Sequence, residues 1–369
     1  MPSLLFITQR MDKDDSILGV YHRWVEKLAE GLESIQVICL YKGRVELPGN
    51  VKVYSLGKET LSGADLRGWR RGFTRIKYIA RFWKYLWRLR RDYDAVFVHM
   101  NPVYVILGGW FWQIAGKPTF LWYNHPMGGL TARIGIKLAD KVFCTSAYSF
   151  AARYSKSMLM PVGVDTSLFR PLAGVERKHN RILCLGRISP IKKLEYLVAA
   201  AKMLDSEGID LELLIVGDPV SGRDWEYKAI LEKTAGHLVK RGKVVFKPSV
   251  PNYEAPALYN SSNIFVNLTP TGSLDKTIIE AMACGSCVLV SNKVFRGIFP
   301  ESLRDLCLFE EGSTEDCASK LKMLLALDSP SKKLLNREMP NLAMAQHSLD
   351  ALVLKLTRLF DCENKSTIR

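Results

Sequence analysis

At 369 residues the chain is too long for one ordinary core, and a prior of about 150 residues per domain points to two. Hydrophobic residues make up 48% and charged residues 24%, which excludes a disordered or fibrous chain. The net charge of +15 is uneven, because residues 1–170 carry 25 Lys/Arg against 13 Asp/Glu and residues 171–369 carry 27 against 24, so the first half suits an anionic partner: membrane lipid, nucleic acid or a phosphorylated substrate.

In chain order, residues 4–8 read as a first strand. Residues 20–32 follow as a helix, with Val20, Trp24, Leu28 and Leu32 on one face. Residues 36–40, 51–55, 95–99, 119–123 and 142–145 continue the strands. The pattern restarts with strands at 181–185, 211–216, 244–246, 264–267 and 288–291. Helices at 194–205, 225–241, 253–260 and 277–283 separate them. Apolar strands alternating with helices predict parallel sheets covered on both faces. The fold expected is therefore α/β, with two doubly wound, Rossmann-like domains facing a cleft.

Pro161-Val-Gly-Val-Asp-Thr-Ser-Leu-Phe-Arg-Pro171 carries linker punctuation. It divides the chain into domains at 1–164 and 165–347. The amphipathic stretch 349–360 aligns Leu352, Leu356 and Phe360, and residues 348–369 can pack on either domain.

No apolar run reaches the ~20 residues of a spanning helix. The nearest, residues 103–115, is too short and contains Gln113. The N-terminus lacks the basic region and cleavage site of a signal peptide. Eight cysteines sit mostly among apolar residues, and Cys284 and Cys287 form one C-x-x-C with no second pair to complete a zinc site. A reducing cytoplasm is the expected compartment.

Two segments carry chemistry. In Cys184-Leu-Gly-Arg-Ile-Ser-Pro-Ile-Lys-Lys193, a strand ends at Gly186, Arg187 follows, and Lys192 opens the next helix. Glycine permits close backbone approach, and two cations beside a helix N-terminus suit a diphosphate. The rival reading is a solvated basic turn. In Thr269-Pro-Thr-Gly-Ser-Leu-Asp-Lys-Thr-Ile-Ile-Glu-Ala-Met-Ala-Cys-Gly285, a Gly-Ser loop precedes a helix containing Glu280. That carboxylate can accept both hydroxyls of a ribose, or stand exposed on the helix.

These segments, in this order, resemble glycosyltransferase family 4, whose fold is the two-domain GT-B arrangement. Pro161–Pro171, Leu214-Ile-Val-Gly-Asp218 and Tyr259-Asn-Ser-Ser-Asn-Ile-Phe-Val266 resemble the family's linker and strands. The resemblance implies a retaining transfer from a nucleotide diphosphate sugar, with no required metal or cofactor. By that analogy Arg187 and Lys192 would hold the diphosphate and stabilise the leaving group. Glu280 would hold the ribose. Gly186, Ser273, Leu274 and Asp275 would line the phosphates and sugar, and Ser249 and Val250 the base. The first Glu of the E-x(7)-E pattern falls on Gly272, and Asp275 is the candidate to replace it. In the first half, Gly19 matches the family's glycine-rich loop, and His125 of Trp122-Tyr-Asn-His-Pro126 would contact the donor sugar. His99 is a weaker candidate, and both histidines have a structural reading.

Residues 67–91 contain ten Lys/Arg and no Asp or Glu, interleaved with aromatic residues such as Trp69. Ile76, Ile79, Trp83 and Leu86 recur at helical spacing. A basic, aromatic helix can lie in a lipid interface, through Arg75, Lys77, Arg81, Trp83, Lys84, Trp87 and Arg88. Arg67, Arg70, Arg71, Arg90 and Arg91 add to the same charge. Its apolar face can instead pack on the sheet, or its cations can grip nucleic acid, although no nucleic-acid motif accompanies it. The combined expectation is a cytoplasmic, peripheral-membrane transferase that builds cell-envelope glycan on a lipid-linked or glycan acceptor. The alternatives are a soluble transferase acting on a small sugar or sugar phosphate, and a non-catalytic nucleotide-sugar-binding protein.

Overall fold

A computed structural model describes residues 1–60 and 70–367, with side chains for 1–60 and 72–361. Arg67 and Trp69, and the side chains of Arg70, Arg71 and Cys362, lie outside the described residues. The chain forms two compact units: Met1–Gly163 together with the segment from Leu349 onward, and Val164–Ser348.

The first unit holds strands β1 (Leu4–Met11), β2 (Ile35–Lys42), β3 (Val51–Ser55), β4 (Ala95–His99), β5 (Thr119–Trp122), β6 (Lys141–Cys144) and β7 (Ser157–Leu159). Helices α1 (Val20–Ala29), α2 (Arg70–Arg88), α3 (Val103–Ile114) and α4 (Leu130–Leu138) lie between them. The sheet order is β3-β2-β1-β4-β5-β6-β7, and every pairing is parallel. Because strand side chains alternate faces, β1 supplies Leu4 and Phe6 to one core layer and Leu5 and Ile7 to the other.

The second unit holds β8 (Lys178–Leu185), β9 (Glu212–Val216), β10 (Val244–Lys247), β11 (Ser262–Asn267) and β12 (Cys287–Val290). Its helices are α5 (Leu194–Ser206), α6 (Gly222–Lys240), α7 (Ala255–Ser261), α8 (Lys276–Ala283), α9 (Glu301–Cys307), α10 (Thr314–Ala326) and α11 (Ser329–His347). The sheet order is β10-β9-β8-β11-β12, again all parallel. Both sheets thus reverse direction beside their first strand, between β1 and β4 and between β8 and β11. In open α/β sheets ligands bind beyond the carboxyl ends of strands at such a switch.

The last helix, α12 (Leu349–Thr367), packs on the first unit. Leu352, Leu356 and Phe360 are fully buried, and the Phe360 ring lies 5.0 Å from that of Phe120.

The apolar set Ile76, Ile79, Trp83 and Leu86 on α2 divides between surface and core. Ile76 and Ile79 are exposed and Trp83 is half-buried against Trp110, while Phe82, Leu86 and Leu89 enter the core. Residues 103–115, weighed only as a membrane span, contain the globular helix α3, which buries Tyr104, Val105 and Trp112. Among the described residues no helix is long and apolar enough to cross a membrane. Cys284 and Cys287 are buried thiols; burial pushes Cys284 up to about 12, and Cys287 bonds the Cys307 thiol.

Candidate functional site

In the second unit the carboxyl ends of β8, β9 and β11 converge. Gly186 and Gly217 have φ of +144° and +155°, backbone that glycine adopts freely. A Cβ on Gly217 would fall 1.9 Å from the Gly186 carbonyl oxygen, so the first turns after β8 and β9 touch through backbone. Arg187 stands exposed at the end of β8. Lys193 is non-glycine yet left-handed at φ 50°, a strained joint that launches α5 directly after Lys192.

The Lys192 ammonium donates to Thr269 Oγ1 at 3.0 Å and to Asp275 Oδ2 at 2.5 Å. Asn267 and Thr269 donate to the same Asp275 oxygen at 3.0 Å each. The other oxygen accepts from the Thr277 hydroxyl at 3.1 Å and caps α8. Burial works to raise the Asp275 carboxyl, but the Lys192 charge and these hydrogen bonds outweigh it and hold it well below the usual carboxylate range. Asp275 is therefore committed to Lys192.

Glu280 is 3% exposed, which overturns its reading as an exposed helical residue. Tyr259 donates its hydroxyl to Oε2 at 3.1 Å and Asn252 its amide to Oε1 at 3.3 Å. Each carboxylate oxygen retains a lone pair for a further donor. Burial pushes the Glu280 carboxyl up, against the opposing pull of Lys276 one turn earlier. Burial likewise lowers Lys276 to about 7.

The remaining donor-side candidates are ordered by the fold. Ser249 donates its hydroxyl to Asp218 at 2.5 Å, and Val250 beside it is half-buried. Leu274 and Gly272 are buried, and the Ser273 carbonyl accepts from Asn292 at 2.9 Å. The structure thus brings Gly186, Lys192 and Asp275 into one cluster. Sequence reasoning missed Asn267, Thr269, Tyr259, Asn252 and Lys276. Only Lys276 had a signal, as a cation one helical turn from Glu280.

In the first unit, a Cβ on Gly19 would lie 2.4 Å from the Asp15 carbonyl, so close packing within the loop after β1 requires this glycine. His125 is exposed, its Nδ1 3.0 Å from the Met127 N–H. His99 is a core residue, 2% exposed, with its ring 3.9 Å from that of Tyr21. Among the α2 candidates, Arg75, Lys77, Lys84, Trp87 and Arg88 are exposed. Arg81 donates to the Leu56 carbonyl at 2.5 Å and Trp83 lies 5.0 Å from Trp110, so these two serve the unit's own packing.

This geometry lies within a stretch of recognisable ancestry. Residues 168–338 match the family model of glycosyl transferases group 1. The group 1 match falls inside the second unit and contains the Gly186–Lys192–Asp275 cluster. A D-inositol 3-phosphate glycosyltransferase of Frankia alni is 31% identical over 141 residues, 35% of this chain and 34% of that protein. The corresponding protein of Rhodococcus opacus is 27% identical over 174 residues, 44% of this chain and 39% of its own. The chain thus spans between a third and two fifths of the length of these curated relatives. The Anabaena protein Alr3699/HepE, solved with UDP and glucose, superposes over 98% of this chain and all of its own at a TM-score of 0.74 and 15% identity. The fold is shared with these GT-B transferases.

Proposed function

We propose that the protein is a glycosyltransferase that takes its sugar from a nucleotide diphosphate donor bound at the carboxyl edge of the β8–β12 sheet. The observation that carries this is the placement of Lys192 over Gly186, beside exposed Arg187, within the group 1 match. A cation held against bare backbone at a strand end suits a diphosphate. Arg187→Ala and Lys192→Ala should each weaken UDP binding in calorimetry by about tenfold, the loss of one charge-assisted contact. Unchanged affinity in both variants refutes the site. Retention of configuration, implied by the resemblance to family 4, is tested by the anomeric coupling of the product in NMR.

On the acceptor side we propose an anionic amphiphile at a membrane surface. Arg75, Lys77, Lys84 and Arg88 are exposed on α2 together with Phe73, Ile76 and Trp87. Each cation near an anionic leaflet contributes ~1 kcal/mol, and the exposed rings add interfacial contact. Flotation with phosphatidylglycerol vesicles should show binding that falls with salt. No binding at low salt sinks the membrane reading and favours a soluble acceptor. The names of the curated relatives support that second reading, a small polyol phosphate.

A further inference from the structure

The first unit contains an open apolar pocket of about 620 Å³, within the roughly 300–1,000 Å³ typical of small-molecule sites. It opens beyond the carboxyl ends of the strands. Leu40 comes from the last half of β2, Leu56 follows β3, and Phe82 of α2 and Leu107 of α3 form the walls. The chain enters α3 through Met100, a non-glycine residue at φ 63°, immediately after β4. Met100 itself packs on the opposite core layer, and the pocket takes its lining from Asn101 and Val103 just beyond it. Two cations, Lys58 and Arg75, line the same pocket and are themselves exposed.

We infer that this pocket takes one hydrocarbon chain of an anionic lipid, with Lys58 and Arg75 on its phosphate. An apolar interior with a cationic rim complements a chain joined to a phosphate, and neither a bare phosphate nor a neutral alkane satisfies both parts. The inference rests on the acceptor-side reading above and deepens it. A helix lying on a membrane needs only an exposed face, whereas this pocket withdraws a single chain from its neighbours. The exposed face of α2, with Phe73 and Ile76 near the start of the helix, would lie at the lipid surface beside it.

The test uses decyl phosphate below its aggregation concentration, with decanol and inorganic phosphate as separate arms, titrated calorimetrically into the full chain. Decyl phosphate should bind at one saturable site, at least about tenfold tighter than either control. Val103→Trp, at a partly exposed lining position, should obstruct the pocket and weaken decyl phosphate about tenfold. The Lys58→Glu, Arg75→Glu double variant, which alters only exposed side chains, should weaken decyl phosphate and leave decanol unchanged. Inorganic phosphate binding as tightly as decyl phosphate would mean a free-phosphate site and overturn the inference. So would decyl phosphate affinity that rises when Leu61 and Leu66, outside the described residues, are replaced by serine, since the chain itself would then be the occupant. Absence of decyl phosphate binding while anionic vesicles still bind would defeat the pocket and spare the membrane reading. Decyl phosphate binding without vesicle binding would do the reverse.

Discussion

Asp275 directs its charge at Lys192, and that changes what each can do. The nearness of Lys192 to Gly186 was legible because a strand end, a glycine and the cations stand in ten consecutive residues. The partnership with Asp275 was not, because it requires Asn267 of β11, Thr269 beyond it and the cap of α8 to meet across 83 residues of sequence. Asp275→Asn keeps the shape and the helix cap but removes one negative charge beside the proposed diphosphate. UDP affinity should rise by about three- to tenfold, while stability falls by ~1–3 kcal/mol as a charge-assisted bond is lost. The pH dependence follows from the depressed carboxyl. Its stabilisation is complete above the ordinary carboxylate value of ~3.9 and disappears only as pH falls toward the lower folded value. The stability gap between wild type and variant, read by urea unfolding, should therefore be constant from about pH 7 to 5 and narrow below about pH 4. A variant that binds UDP more weakly would show that Asp275 instead helps to hold the donor.

At the scale of the element, α2 shows both the reach and the limit of periodicity. Its existence, charge and aromatic content were evident from residues 67–91, but the spacing left open which of its apolar residues meet the sheet. The core takes Phe82, Leu86 and, just past the helix, Leu89, with Tyr78 packed at its edge. The helix's earlier turns, with Arg75 and Ile79, border the open pocket instead. Spacing alone reports an apolar stripe and says nothing of where the sheet ends. The two faces should respond differently to mutation. Phe82→Ala should cost about 3–5 kcal/mol in urea unfolding, the penalty of a cavity in a packed core. Phe73→Ser with Ile76→Ser should cost far less than Phe82→Ala, because both side chains are largely exposed. The same pair should reduce flotation with anionic vesicles. Vesicle binding that survives the pair unchanged would remove these side chains from any membrane contact.

For the whole molecule, the two parallel sheets were legible because nearly every strand is an apolar run bounded by turn residues. Helices α9 to α11 were not anticipated; α11 contains Pro340 and mixes polar with apolar residues, so no clear face announces it. The sequence also left open which unit α12 joins, since its stripe fits any apolar surface; the Phe97–Phe120 cluster decides it. The chain passes from the first unit to the second at Gly163–Val164 and returns at Ser348–Leu349. Val164 bridges to Ser348 and donates its N–H to the His347 carbonyl at 2.9 Å, so the two passages run side by side. The His347 ring is buried there, with no hydrogen-bond partner for either nitrogen among the described residues, and burial lowers it to about 4. An unfolded histidine takes up its proton near ~6.5, so between that value and about 4 the unfolded chain is charged while the folded ring stays neutral. Stability must therefore be full above about pH 6.5 and decline as pH falls, by up to roughly 3 kcal/mol at pH 4 from this residue alone. His347→Leu keeps the site apolar and removes the titration. Urea unfolding of wild type and variant at about pH 7.5 and 5 should show a much smaller loss on acidification in the variant. Equal losses in both would mean that the ring gains a partner when protonated, and would place the acid sensitivity elsewhere in the molecule.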